Sequence, residues 1–177
     1  MKQKLIILSD LWGKQKSAWV NNYIELLSPT FEIIYYDSCT LGEIDLINYS
    51  ENAIHQQFIN GGIDTAVINL LEKEKREITI LAFSIGGTIA WKASLKGLNV
   101  LNLFAISATR LRYETEKPHC KVTLFYGGLD NYRPAAGWFK GLAVANFYTL
   151  NNETHHLYKN EICIKLICDK LIKIIIE

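Results

Sequence analysis

The sequence predicts an α/β fold, in which helices cover both faces of a parallel β-sheet. Six short apolar runs, rich in β-branched residues, alternate with segments of helical periodicity. Several of the runs are apolar at nearly every position, which is typical of strands buried on both faces of a parallel sheet. The six predicted strands are residues 4–8, 31–36, 77–83, 99–106, 121–126 and 144–150.

Helical patterns occupy the segments between these strands. The second segment contains Gly61 and Gly62, and each glycine costs a helix about 1 kcal/mol relative to alanine, so we expect a kink or a division there. With right-handed crossovers, the strand order in the sheet is predicted to be 2-1-3-4-5-6. The helical segments are residues 17–27, 52–75, 86–97, 134–142 and 159–175.

Length and composition favour a single domain over residues 1–177. A chain of 177 residues, 49% hydrophobic and 21% charged, can bury one core of ordinary size. Its net charge of +1 provides no broad field for nucleic acid or an anionic membrane, and no apolar run approaches the roughly 20 residues that span a bilayer. We therefore expect a soluble protein with no nucleic-acid partner and no membrane partner.

The cysteines indicate a reducing compartment. None of the four stands in the close C-x-x-C spacing of a zinc or dithiol site, and the N-terminus lacks the apolar segment of a signal peptide. The pattern predicts free thiols, a cytoplasmic location, and neither a metal nor another cofactor. The cysteines are Cys39, Cys120, Cys163 and Cys168.

A serine stands at the predicted junction between the third strand and the helix that follows it. The strand ends at Phe83, Ser84 comes next, and Gly86 opens the helix. A nucleophile on such a turn is held in strained backbone geometry above the edge of the sheet, and its neighbours must be small so that the helix can pass close to the strand. The other interpretation is that Ser84 caps the helix, since serine is a preferred N-cap.

An acid and a base follow at the ends of two later strands. Asp130 lies in a glycine-containing loop after the fifth strand, although aspartate beside glycine is also a common turn former. His155 and His156 lie between the last strand and the last helix, where solvated surface histidines are also common. Because Ser84, Asp130 and a histidine each follow a different parallel strand, the loops that carry them should converge on one site.

These residues together resemble the α/β-hydrolase family. Residues 82–86, A-F-S-I-G, are similar to the family's nucleophile elbow G-x-S-x-G, with Ala82 in place of the first glycine, and the order Ser, Asp, His is that of the family. The resemblance covers nearly the whole chain. It implies a minimal three-layer fold that lacks the first two strands of the full-length pattern and has no cap or lid domain.

The resemblance implies a serine hydrolase that acts on a small carboxyl ester or thioester. A histidine would take the proton from Ser84, the serine would attack the carbonyl carbon to form an acyl-enzyme, and Asp130 would orient the imidazole. His155 is the preferred base because it directly follows a small residue, Thr154, as in the family. His156 remains the alternative base.

The resemblance also implies two backbone donors for the oxyanion. One would be the N–H of Ile85 at the helix N-terminus, and the other would come from the loop after the first strand, from Leu11 or Trp12. The family's usual His-Gly pair in that loop is replaced by Ser9 and Asp10. A carboxylate on Asp10 must point away from the oxyanion if the site is to work. Trp12 is also a predicted wall of the substrate pocket.

Two other functions compete with this hypothesis. A dinucleotide-binding domain would share the alternation of strands and helices and could use Asp37, but the loop after the first strand lacks G-x-G-x-x-G. A non-catalytic relative of the hydrolases, binding a ligand or a partner, would explain Ala82 and Asp10 as signs of lost activity.

Overall fold

A parallel six-stranded sheet forms the middle layer of the protein. The structure is a computed structural model that describes residues 2–176, with the side chains of residues 2–174. All six predicted strands are present, with ends that differ from the predicted ones by at most two residues. They are β1 (Gln3–Leu8), β2 (Phe31–Tyr36), β3 (Ile78–Phe83), β4 (Val100–Ile106), β5 (Lys121–Gly127) and β6 (Asn146–Leu150).

The topology of the sheet confirms the predicted order. The strands lie in the order β2-β1-β3-β4-β5-β6, and each neighbouring pair is parallel. The described residues contain the helices α1 (Val20–Leu27), α2 (Ser38–Leu41), α3 (Glu51–Gln57), α4 (Ile63–Lys73), α5 (Ile85–Leu95), α6 (Ala136–Gly141) and α7 (Glu161–Ile176).

The predicted second helical segment is divided, as its glycines indicate. Residues Phe58–Gly62 form a single π-helical turn between α3 and α4, and Gly61 adopts a φ of +125° that other residues rarely adopt. The chain therefore changes direction within this segment.

The short helix α2 was not predicted from the sequence. It exists because the side chain of Asp37 accepts hydrogen bonds from the backbone N–H of Cys39 at 2.7 Å and of Thr40 at 3.1 Å. The other oxygen of Asp37 accepts the N–H of Lys14 at 2.7 Å. Asp37 is thus a structural capping residue, which removes its suggested role as a ribose ligand.

Two hydrophobic cores explain why the strands are apolar at consecutive positions. Along β1, Leu5 and Ile7 face one core, whereas Ile6 and Leu8 face the other. The helices α1 and α7 cover the first core, and α2 to α6 cover the second. Each central strand is buried on both faces, which gives the three-layer arrangement that the sequence predicts.

Parallel pairing places the carboxyl ends of all six strands at one edge of the sheet. The turns after β1, β3, β5 and β6 therefore meet there. None of the helices within residues 2–176 is long and apolar enough to span a membrane.

Candidate active site

Ser84 lies at the tight turn that joins β3 to α5. Its backbone φ of +50° and ψ of −115° lie outside the regions that non-glycine residues usually adopt, a conformation that costs about 1–3 kcal/mol. The Ser84 N–H donates to the carbonyl of Ile106 at 2.8 Å, which helps to hold the turn. The Ser84 side chain makes no capping hydrogen bond to α5. The interpretation of this serine side chain as a helix cap is therefore wrong.

Close packing between α5 and β1 explains the glycine two residues after the serine. A Cβ atom on Gly86 would stand 2.5 Å from the carbonyl oxygen of Ser9 and 3.0 Å from the Cβ of Leu8. Only a residue without a side chain lets the first turn of α5 approach the end of β1 so closely. This packing fixes the turn from which the Ser84 hydroxyl projects.

The structure brings three of the predicted site residues into one hydrogen-bonded chain. Ser84 Oγ lies 3.0 Å from His155 Nε2, and His155 Nδ1 lies 2.7 Å from Asp130 Oδ2. Because a carboxylate only accepts, Nδ1 of the imidazole carries the proton, and in the neutral ring Nε2 is left to accept the hydroxyl proton of Ser84.

Asp130 is buried and carries its charge at neutral pH. Burial acts to raise the pKa of this carboxyl, but hydrogen bonds from His155 and from the Tyr132 N–H, together with the charges of His155 and Arg133, lower it below the ordinary value. The Tyr132 N–H donates to Asp130 Oδ1 at 3.0 Å. Asp130 can thus orient the imidazole and stabilise its protonated form.

Direct backbone contact joins the loop that carries Asp130 to the loop that carries His155. A Cβ atom on Gly127 would overlap the carbonyl oxygens of Glu153 and Thr154, so glycine is required there. The Leu129 N–H donates to the Glu153 carbonyl at 2.9 Å. These contacts hold Asp130 and His155 at a fixed separation.

His156 lies beside this chain of residues and is not part of it. Its backbone N–H donates to Thr154 Oγ1 at 3.4 Å, and its side chain is exposed. Partial burial, followed by the positive charges of Lys159 and His155, lowers the pKa of His156. The nitrogen that contacts Ser84 belongs to His155.

Of the two candidates for the second oxyanion donor, Trp12 is unsuitable. The Trp12 N–H already donates to Asp10 Oδ1 at 3.0 Å, which corrects its prediction as a donor. The Leu11 N–H has no acceptor among the described residues, and Leu11 lines the same cavity as Ser84 and Ile85. Ile85 is the first residue of α5, so its N–H has no acceptor within the helix.

The Asp10 carboxyl is fully buried, and both of its oxygens have partners. Oδ1 accepts the Trp12 N–H, and Oδ2 accepts the hydroxyl of Tyr158 at 3.1 Å. Burial raises the pKa of Asp10, although these hydrogen bonds and the charge of Lys159 oppose the shift. Sequence reasoning missed Tyr158. A buried tyrosine hydroxyl requires a partner, but 148 positions separate it from Asp10.

A cavity of about 920 Å³ opens above Ser84. Trp12 forms part of its wall. No group of three or more His, Cys, Asp or Glu side chains in the described part of the chain is arranged to hold a metal ion. Besides Ser84, His155 and Trp12, the lining includes Asp10, Leu11, Lys16, Glu51, Asn52, His55, Ile85, Thr109, Arg110, Arg112, Tyr132, His156, Tyr158 and Lys159.

Comparison with known proteins finds similarity in structure and not in sequence. No protein-family model and no curated protein matches the chain. A protein of the alpha/beta hydrolase superfamily from Xanthomonas campestris pv. campestris aligns with a TM-score of 0.71 and 17% identity, over 97% of this chain and 99% of that one.

Two further solved structures align over nearly the whole chain. MGS-MChE2, an alpha/beta hydrolase enzyme from the metagenome of lagoon sediments at Mar Chica, Morocco, has a TM-score of 0.68 and 16% identity, over 98% of this chain and 91% of its own. Est1E from Butyrivibrio proteoclasticus has a TM-score of 0.67 and 11% identity, over 99% of this chain and 89% of its own. Together with the sheet order and the flanking helices, these alignments show that the chain adopts the α/β-hydrolase fold.

Proposed function

We propose that this protein is a serine hydrolase that cleaves a small carboxyl ester or thioester through an acyl-enzyme on Ser84. The observation that carries the proposal is the hydrogen-bonded chain from Ser84 through His155 to Asp130, which begins on a strained turn and opens into a cavity. A hydroxyl, an imidazole and a buried carboxylate in this arrangement form the triad of nucleophilic acyl transfer.

In the proposed first step, His155 Nε2 accepts the proton of Ser84 Oγ while that oxygen attacks the carbonyl carbon of the substrate. The imidazolium that forms is stabilised by the charge of Asp130. The negative charge that develops on the carbonyl oxygen is stabilised by the N–H groups of Ile85 and Leu11 and by the N-terminus of α5.

In the proposed second step, the tetrahedral intermediate collapses and His155 returns the proton to the leaving alcohol or thiol. Water then attacks the acyl-enzyme, with His155 again as the base, and this releases the acid and restores Ser84. The altered loop after β1 is compatible with this chemistry, since hydrogen bonds from Trp12 and Tyr158 occupy both oxygens of Asp10.

The names of the structural neighbours support this proposal. MGS-MChE2 is described as a hydrolase enzyme, and Est1E has been solved with ferulic acid bound. All four cysteines are free thiols, which supports the further proposal that the protein acts in the cytoplasm.

Steady-state hydrolysis of 4-nitrophenyl butyrate tests the proposal. Ser84→Ala and His155→Ala should each lower kcat/KM by at least about a thousandfold, because members of a triad act as one unit. Asp130→Asn should lower it severely but somewhat less, since the nucleophile and the base remain. His156→Ala is the matched control and should retain most of the activity.

A non-catalytic ligand-binding protein is the rival function, and Asp10 in the loop after β1 is the observation that favours it. A wild-type enzyme that hydrolyses no faster than Ser84→Ala would support that rival. If both histidine variants retained full turnover while Ser84→Ala was inactive, the assignment of the base would be wrong.

A further inference from the structure

Positive charge is concentrated in the cavity above Ser84. Four basic side chains line it, against the two carboxylates of Asp10 and Glu51. The whole chain contains 19 basic and 18 acidic residues, so the residues outside the cavity lining include slightly more acidic than basic side chains. The basic side chains are Lys16, Arg110, Arg112 and Lys159.

The two carboxylates offset only part of this charge, because they stand against four basic side chains. Asp10 is buried, and the Trp12 N–H and the Tyr158 hydroxyl occupy its oxygens. Glu51 is exposed at the first turn of α3. Within residues 2–174, none of the four basic side chains forms an ion pair with a carboxylate.

Of the two arginines that line the cavity, Arg112 forms hydrogen bonds within the protein. Its guanidinium donates to the carbonyls of Thr109 at 2.8 Å and Tyr132 at 3.3 Å and to the hydroxyl of Tyr113 at 2.7 Å. These bonds tie the turn after β4 to the loop that carries Asp130. The donors of Arg112 are therefore largely used within the protein.

Arg110 differs, because its donors are available. It is half-buried, its guanidinium carbon lies 5.3 Å from the ring centre of Tyr113, and its guanidinium donates no hydrogen bond to any described residue. Arg110 lines the same cavity as His55 of α3, and burial, followed by the charge of Arg110, lowers the pKa of His55. A planar group with five free donors suits an anion.

We propose that Arg110 is the anchor of an anion subsite, and that the substrate is an ester or thioester that carries a carboxylate or phosphate group away from the scissile bond. Lys16 also lines the cavity, with its Nζ 4.0 Å from the ring centre of Trp12, and adds a second positive charge there. This inference rests on the proposed function, since Ser84 would attack the bond to be cleaved.

A pair of matched esters tests the subsite. Mono-4-nitrophenyl adipate carries a terminal carboxylate, and 4-nitrophenyl hexanoate is its neutral counterpart of equal acyl length. We expect the wild type to prefer the adipate by about tenfold in kcat/KM, since a hydrogen bond to a charged group contributes roughly 1.5–3 kcal/mol and 1.4 kcal/mol is tenfold. Arg110→Gln should abolish this preference, and Arg110→Lys should retain part of it.

Arg76→Gln is the matched control. It removes the same charge from an exposed arginine just before β3, outside the cavity lining, and should leave the preference unchanged. Thermal melts of the arginine variants check that each remains folded. Because the readout is a ratio between two esters, effects common to both cancel.

Inhibition distinguishes the two kinds of anion. Butyl phosphate and hexanoate should each inhibit 4-nitrophenyl hexanoate hydrolysis at least about tenfold more strongly than neutral hexanamide. The more potent of the two identifies the anion, and Arg110→Gln should remove the advantage. Equal inhibition by all three compounds would overturn the inference.

These experiments distinguish failure of the subsite proposal from failure of the hydrolase proposal. A Ser84-dependent activity without preference for the adipate, or with a preference that survives in Arg110→Gln, overturns the subsite and leaves the hydrolase proposal standing. If neither ester is hydrolysed, the hydrolase proposal fails, and calorimetry of butyl phosphate and hexanoate with the Ser84→Ala protein decides the subsite. Binding weakened about tenfold by the additional Arg110→Gln change supports it, and unchanged or undetectable binding overturns it.

Discussion

At the scale of single residues, the site combines strain with a buried charge. Ser84 holds a backbone conformation that is costly for any residue with a side chain, and Asp10 keeps a carboxyl in a fully buried position. Neither feature is favourable for folding by itself. Both lie at the edge of the sheet where the chemistry is proposed.

Asp10→Asn should make the protein at least as stable as the wild type at pH 7. An asparagine amide oxygen can accept the Trp12 N–H, and its NH₂ group can donate to the Tyr158 hydroxyl oxygen. Each contact therefore keeps a hydrogen bond, the second in the reverse direction, while the buried charge is removed. Asp10→Ala, in contrast, should cost about 1–3 kcal/mol, because the Trp12 N–H loses its acceptor. Urea unfolding at pH 7 compares the two variants.

The pH dependence of that comparison follows from the raised pKa of Asp10. The folded wild type binds a proton at Asp10 more readily than the unfolded chain does, so its stability relative to Asp10→Asn should rise as the pH falls through the folded-state pKa. If Asp10→Asn is more stable than the wild type at pH 7, the difference in unfolding free energy should therefore shrink as the pH falls from 7 towards 3.8, the ordinary aspartate pKa. An advantage that grows on acidification would contradict this account of Asp10.

At the scale of elements, the position of Ser84 depends on how closely α5 approaches β1. Gly86→Ala places a methyl group against the carbonyl of Ser9 and should destabilise the protein by about 1–3 kcal/mol while lowering activity. Gly137→Ala in α6 is the control, because a Cβ there meets no atom within 4 Å and alanine favours the helix by up to about 1 kcal/mol. Denaturant midpoints measure the change in stability, and ester hydrolysis measures the change in activity.

Comparable stability of these two glycine variants would show that the close approach of α5 to β1 does not constrain the site. If Gly86→Ala lost stability but kept full turnover, the packing would matter for the fold alone.

The elements were largely predictable because their signals are local. Consecutive apolar positions in β3 and β4 mark strands buried on both faces, and Gly61 marks the division between α3 and α4. The helix α2 escaped prediction because a single side chain, Asp37, stabilises its four residues. Such a short helix carries no periodic pattern.

The residues at the site were predictable in their order along the chain but not in their contacts. Ser84, Asp130 and the histidine pair could be proposed because each follows a strand. Whether Trp12 or Leu11 offers its N–H depends on where the Asp10 side chain points, and that orientation depends on Tyr158, which is distant in sequence. Sequence position also does not determine which of two adjacent imidazoles turns towards the serine.

At the scale of the whole molecule, the sheet couples two cores that lie on its opposite faces. Leu103 and Phe104 are neighbours on β4, yet one packs in the core under α4 and α5 and the other in the core under α1 and α7. A single-domain chain over residues 1–177 remains a prediction. If the chain is a single domain, a destabilising substitution in the core on either face of the sheet must lower the stability of the whole protein.

Leu103→Ala and Phe104→Ala should therefore lower the midpoint of the same unfolding transition. Truncation of a buried leucine costs about 2–5 kcal/mol and of a buried phenylalanine about 3–5 kcal/mol. Tryptophan fluorescence and far-ultraviolet circular dichroism should give coincident curves in both variants. Two separated transitions would indicate that the cores unfold independently.

The central claim, that Ser84 is a nucleophile activated by His155, is tested most directly by covalent labelling. Incubation with a fluorophosphonate at pH 8, followed by intact-mass and peptide mass spectrometry, should reveal one adduct, on Ser84. The adduct should be absent in Ser84→Ala, form far more slowly in His155→Ala and form at nearly the wild-type rate in His156→Ala. Folded wild-type protein that remained unlabelled after several hours, or that carried its label on another residue, would contradict the claim.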